Sequence, residues 1–134
     1  MAGFKKSWAE TSPNESGFVN NSKDKGKETY RGITTRDWPD WEGWSIVHKA
    51  IKDLGIINTL DCSKDVREKI DKVLVTNTQL DGMVQSFYKK NYWDPIDLDK
   101  EPSQLIANKV FDISVNMGVP TAKQFYQEAK GGIV

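Results

Sequence analysis

The sequence predicts a mainly α-helical domain with a small β-hairpin region near the N-terminus, and three observations predict it. Apolar residues recur at helical spacing in separate stretches between Phe4 and Lys130. Those stretches are bounded by residues that start or stop helices: Pro13, Gly55, Ser63, Ser103, Gly118 and Gly131. Only the segment from Asn14 to Thr35 breaks the pattern, with turn-forming Gly, Asn and Asp set among strand-compatible Phe18, Val19, Thr29, Tyr30 and Ile33.

Taken in order, Phe4, Trp8 and Thr11 predict a first helix that Pro13 ends. The irregular hairpin-like region follows. Trp38-Pro39-Asp40-Trp41-Glu42-Gly43 forms a loop entering a helix with Trp44, Val47, Ile51 and Leu54 on its apolar stripe, closed at Gly55. Ser63 caps a helix bearing Val66, Ile70, Val73 and Leu74. The next runs from Thr78 to Tyr92, with Leu80, Val84, Phe87 and Tyr88 inward. Pro95 and Pro102 bracket a turn. Ser103 caps a helix carrying Leu105, Ile106, Val110, Phe111 and Ile113, and Asn116-Met117-Gly118 breaks it. A last helix spans Pro120 to Lys130.

Composition narrows the chemistry. A chain of 134 residues suits one compact domain, and no stretch approaches the roughly 18 apolar residues that span a bilayer. Its basic start lacks the apolar run of a secretory signal. Nineteen basic residues balance nineteen acidic ones, so no net field favours nucleic acid. Cys62 is the single cysteine and His48 the single histidine, which leaves a disulfide without a partner and a zinc site without ligands. No cofactor is expected. His48 lies in an amphipathic stretch and reads as solvent-facing, and the charge-rich run from Lys64 to Lys72 reads as a solvated helix face. Carboxylates remain as the natural catalytic groups.

Glu15 lies just past the first helix, Asp24 nine residues later and Thr29 five after that, all in the segment that packing explains least. Glycoside hydrolysis needs an acid to protonate the leaving oxygen and a second group to guide water or stabilise positive charge. A helix C-terminus before Glu15 favours its protonated form, while Asp24, among Asn, Ser, Lys and Gly, stays hydrated and charged. The Thr29 hydroxyl can hold a water. Two solvated loop carboxylates are the competing reading of the same residues.

The run Asn14-Glu15-Ser16-Gly17-Phe18-Val19-Asn20-Asn21, then Asp24-Lys25-Gly26-Lys27-Glu28-Thr29 and Gly32-Ile33-Thr34, resembles the signature of the glycoside hydrolase family 108 muramidases. The resemblance implies a lysozyme-like helical domain that cleaves the β-1,4 link between N-acetylmuramic acid and N-acetylglucosamine, with Glu15 as the essential acid and Asp24 and Thr29 as its supporting pair. Ser16 and Lys27 stand where the family pattern has glycine, so both are expected at backbone angles that glycine adopts freely. Phe87-Tyr88, Tyr92-Trp93-Asp94-Pro95-Ile96 and the run from Phe111 to Gly118 are similar to the peptidoglycan-binding module that follows in this family. That divides the chain into a muramidase segment, 1–91, and a shortened peptidoglycan-binding segment, 92–134, packed as one structural unit.

The implied partner is the peptidoglycan glycan strand, reached from the cytoplasm through a holin-like pore, a dedicated secretion system or lysis. Two other readings stay open: a non-catalytic wall-binding or secretion-accessory protein, and a lytic transglycosylase. Trp8, Trp44 and Trp93 read as core. Trp41, with Trp38, is either a platform for a sugar ring or a cap on the core. Tyr30 either lines the cleft or packs. Asn116 either bonds an acetamido group or ends its helix locally.

Overall fold

The computed structural model describes residues 1–11, 17–23 and 27–131. In chain order it runs α1 (Phe4–Thr11), β1 (Phe18–Asn20), β2 (Glu28–Tyr30), β3 (Ile33–Thr34), α2 (Gly43–Asp53), α3 (Lys64–Val75), α4 (Thr78–Tyr88), a π-turn (Lys89–Trp93), two short 3₁₀ turns (Asp94–Ile96 and Leu98–Lys100), α5 (Gln104–Met117) and α6 (Val119–Gly131). The protein is mainly helical with a small antiparallel sheet near the N-terminus, as the sequence predicts. No helix among the described residues is long and apolar enough to cross a membrane. Two compact units divide the chain, one of Met1–Asn14 with Gln85–Val134, the other of Glu15–Val84. Helix α4 runs through the boundary between them.

In the second unit the sheet has the order β1-β2-β3, one strand more than a hairpin. The addition follows from Arg31-Gly32, a two-residue connection between the paired Tyr30 and Ile33. Both residues adopt positive φ, 48° and 83°, the geometry whose twist matches that of the flanking strands. Phe18, Tyr30 and Ile33 stand opposite one another across the three strands and are all buried. Val19, Thr29 and Thr34, one residue out of phase, line the other face and are only half-buried.

Helix α2 buries Trp44, Val47 and Ile51. It ends where the glycine predicts: Gly55, at φ +78°, donates to the Lys52 carbonyl at 2.9 Å, and Ile56 donates to that of Ile51 at 3.3 Å. This paired pattern folds Ile56 back over the last turn. The Ser63 hydroxyl accepts the Val66 N–H at 3.3 Å and starts α3, which packs on α2 and β1. Asn77, whose capping role the sequence did not suggest, accepts the Leu80 N–H at 2.9 Å at the head of α4.

The first unit is built on aromatic rings. Phe4 meets Trp93 and Phe111 edge-on at 5.5 and 5.4 Å, and Trp8 lies 5.2 Å from Tyr88. Such pairs add about 0.5–1.5 kcal/mol each beyond the area they bury. Trp8, Trp44 and Trp93 are all core residues, as expected. A small polar cluster joins α1 to α5. Gln104 accepts the Gly3 N–H at 2.8 Å and donates to Ser7 at 3.0 Å, while Ser7 donates to Asn108 at 2.5 Å.

Three expectations need correction. Helix α4 was expected to reach Tyr92 but turns into a π-turn after Tyr88. There the Asn91 side chain takes the Phe87 carbonyl at 2.9 Å and Ser114 donates to the Tyr92 carbonyl at 2.8 Å, so side chains replace the regular ladder. In α5 the buried stripe is Ala107, Val110, Phe111 and Ser114, which leaves Leu105 81% exposed and Ile106 a little over a third exposed. The register is set by Gln104 and Asn108, whose polar heads must face α1. Val73 is likewise exposed, because Ile70 and Leu74 carry the inward face of α3.

Glu101 is the one buried carboxylate in the described core, between the 3₁₀ turns and α5. Its oxygens accept the Tyr126 hydroxyl at 2.6 Å and the Ser103 N–H at 2.8 Å. The Tyr126 bond leads the effects that hold the Glu101 carboxyl below its ordinary 4.5. Burial first, and then Glu101, push Tyr126 up to about 12. The stabilisation from Glu101 is therefore complete above pH 4.5 and is lost as pH falls through its depressed value. That from Tyr126 is complete below pH 10.0 and fades as pH rises towards about 12. Tyr126→Phe is expected to lower unfolding free energy by about 1.5–3 kcal/mol near neutrality, with the deficit shrinking as pH falls through the depressed value of Glu101 and the wild type loses the same bond. Urea denaturation of both proteins across pH checks this.

Candidate active site

The sheet carries Thr29 and Tyr30 in a frame that other parts of the second unit hold in place. The Asp71 carboxylate, on α3, accepts the Phe18 N–H at 2.7 Å and so pins the start of β1. It can do so because Gly17 has no side chain: a Cβ there would collide with the carboxylate. The Gly17 carbonyl in turn accepts the Arg31 N–H at 3.3 Å. Arg31 forms an ion pair with Asp81 of α4 at 2.9 Å, which holds a non-glycine residue in the left-handed region. Asp71 was expected on a solvated helix face. It is instead a strut, a role that needs a partner 53 residues away and leaves no trace in helical spacing.

The turn leaving β1 is held from the 59–62 loop. Asp61 donates its N–H to the Asn20 carbonyl at 2.7 Å, and its carboxylate accepts the Ser22 N–H at 2.9 Å. That bond from Ser22 lowers the pKa of Asp61. Asn20 also donates to Thr59 at 3.0 Å. Lys27, at φ +61°, adopts the left-handed angle expected for a position where the family pattern has glycine. Ser16 lies outside the described residues.

Of the predicted catalytic groups, Glu15 and Asp24 lie outside the described residues. Thr29 is on the half-open face of β2, and its hydroxyl donates to the Lys27 carbonyl at 3.3 Å. Tyr30, next to it, points to the opposite, buried face. Burial raises its pKa, aided by Asp71 and Asp81 and opposed by Arg31, so the phenol stays protonated. Trp41 is half-buried, meets Trp44 edge-on at 5.5 Å and lies directly over Gly43, where any side chain would strike its ring. Asn116, at the end of α5, donates to the Asp112 carbonyl at 2.8 Å and to its carboxylate at 3.1 Å. Those bonds are the local, helix-ending use of this residue.

His48 is half-exposed but engaged. Its Nε2 meets a Glu28 oxygen at 2.6 Å, and its ring stacks on Trp44 at 5.7 Å. The pair joins α2 to the first residue of β2, beside Thr29. The sequence carried no signal for it beyond the presence of a single histidine.

Among the described residues, a small sheet braced by Asp61, Asp71 and Asp81 carries Thr29 on the half-open face of its middle strand. The family model described as Glycosyl hydrolase 108 matches residues 8–118 and places the protein among the glycoside hydrolases. The chain belongs to that family, as its motifs imply. No curated protein and no solved structure matches it.

Two outcomes test the frame. Asp71→Ala is expected to destabilise the protein by about 1–3 kcal/mol, through the orphaned Phe18 N–H, and to speed hydrogen exchange at Phe18 and Arg31. Lys27→Gly is expected to raise stability by up to about 1 kcal/mol, because it relieves a left-handed side-chain residue against the entropy that glycine adds. Thermal melts of the two variants beside wild type decide both.

Proposed function

We propose that the protein is an N-acetylmuramidase that hydrolyses β-1,4 links between N-acetylmuramic acid and N-acetylglucosamine in peptidoglycan. The observation that carries the reading is the family match, which covers Glu15, Asp24 and Thr29 together. The presence of Asp24 and Thr29 in the motif with Glu15 tilts the reading towards hydrolysis over transglycosylation. The Thr29 proton is directed at the Lys27 carbonyl, so its oxygen lone pairs are suited to accept a hydrogen bond from a water.

In the proposed reaction Glu15 gives its proton to the glycosidic oxygen as the C1–O bond breaks. Thr29 and Asp24 orient a water that attacks C1 on the opposite face, and Asp24 takes the proton that this water loses. The two half-reactions balance as addition of one water, with inversion at C1. Among the proposed sugar contacts Tyr30, Trp41 and Asn116, the geometry favours Trp41, since Tyr30 faces the core and the Asn116 amide is held by Asp112. Segment 92–134 is proposed to contribute to wall binding, and a holin-like pore or secretion system to deliver the enzyme.

Glu15→Gln is expected to lower the rate of glycan cleavage by about 10²–10⁴ while leaving the melting temperature within a degree or two. Digestion of purified peptidoglycan with mass analysis of the fragments checks the chemistry. Reducing N-acetylmuramic acid ends are expected. Anhydro ends would identify a transglycosylase, and intact glycan a non-catalytic binder.

A further inference from the structure

Beside the sheet lies an open groove of about 440 Å³, within the usual range for small-ligand sites. Glu28, His48 and Lys52 supply its charges, and Ile51, Ile56 and Ile57 its apolar surface. The glycine-terminated end of α2 shapes it, because the left-handed Gly55 turns the chain so that Ile56 returns beside Ile51. Ile57 is fully exposed, at 102%, and so offers a branched apolar side chain at the groove. We infer that this groove is a subsite for the peptide stem of the peptidoglycan strand, an inference that rests on the peptidoglycan reading above.

The chemistry of the lining selects a peptide over a further sugar. Pyranose rings are best received on flat aromatic faces, and the one ring here, the His48 imidazole, is already stacked on Trp44. Branched aliphatic side chains suit the methyl groups of alanyl residues and the methylene chain of a diamino acid. Charges of both signs stand in the same lining. Glu28 can receive the ammonium of the diamino residue, and Lys52 a carboxylate of the stem.

The length of the stem bears on the same assignment. Glu28 and Thr29 are consecutive, so their Cα atoms lie about 3.8 Å apart. An extended stem of three or four residues reaches roughly 10–14 Å. The Glu28 and Thr29 side chains leave opposite faces of β2, so a peptide attached to a muramic acid held near Thr29 reaches the groove by passing round the start of the strand at Glu28. The subsite would make cleavage depend on whether the glycan carries its peptides.

The test is an NMR titration of the full chain with the synthetic tetrapeptide L-Ala–γ-D-Glu–L-Lys–D-Ala, which carries no glycan. The expected result is a saturable shift of the His48 imidazole signals. The double variant Lys52→Glu with Ile57→Asp, both positions being exposed, is expected to bind about tenfold more weakly. A wild-type titration without a saturable shift, or equal binding by wild type and variant with both melting normally, overturns the subsite. Cleavage of whole strands by the same samples keeps the two readings apart. Peptide binding that persists in a protein unable to cut glycan strikes the muramidase reading and leaves the groove assigned.

Discussion

The bond from the Phe18 N–H to the Asp71 carboxylate is the constraint on which the geometry of the sheet unit rests. A three-residue strand has too few ladder bonds to hold itself in register, and a short antiparallel sheet in water is marginal. Asp71 anchors its first residue to a helix, and the missing side chain at Gly17 admits the carboxylate. From that anchor the strand order follows: Tyr30 opposes Phe18, Ile33 opposes Tyr30, and all three are driven to the buried face. Thr29 is consequently turned to the other face. Arg31, paired with Asp81, closes the far end of the same hairpin with an ion pair that also holds a left-handed backbone in place.

The unit containing α1, α5 and α6 follows a different rule. Here the core is a set of rings, Phe4, Trp8, Trp93 and Phe111 among them, and its polar groups are satisfied one by one. The Trp93 indole donates to Asp99 at 2.8 Å, Ser114 holds the Tyr92 carbonyl, and Glu101 shares Tyr126 and Ser103. Each bond prevents a buried polar atom from losing water without replacement, a loss of about 1–3 kcal/mol. The π-turn is the local result, since it brings Trp93 inward while side chains cover the backbone groups it releases.

The backbone of the sheet unit is least regular around β2. Left-handed residues at 27, 31 and 61 cluster around the two ends of β2 and the loop bonded to β1. Such angles persist only where surrounding bonds over-determine them. The Asp61 bonds to Asn20 and Ser22, and the Arg31 pair with Asp81, are those bonds.

Helix periodicity, the Ser63 and Ser103 caps and the stops at Gly55 and Gly118 were legible in the sequence because they depend on neighbours three or four residues away. The left-handed angle at Lys27 was legible for a similar reason, as a side chain standing where the family pattern has glycine. The family itself was carried by short motifs around Glu15, Asp24 and Thr29. What no local pattern contained was the choice among equivalent faces. Leu105 is as apolar as Val110, and the Gln104 and Asn108 bonds to α1, with Phe111 packed on Phe4 and Trp93, go with the register that buries Val110. Asp71 and Glu28 look like any surface carboxylates until Phe18 and His48 arrive from 53 and 20 residues away. Local sequence therefore determined the elements and the chemistry on offer. Tertiary structure decided which side chains face one another, because a hydrogen bond or ion pair depends on distance in space, and distance along the chain does not encode it.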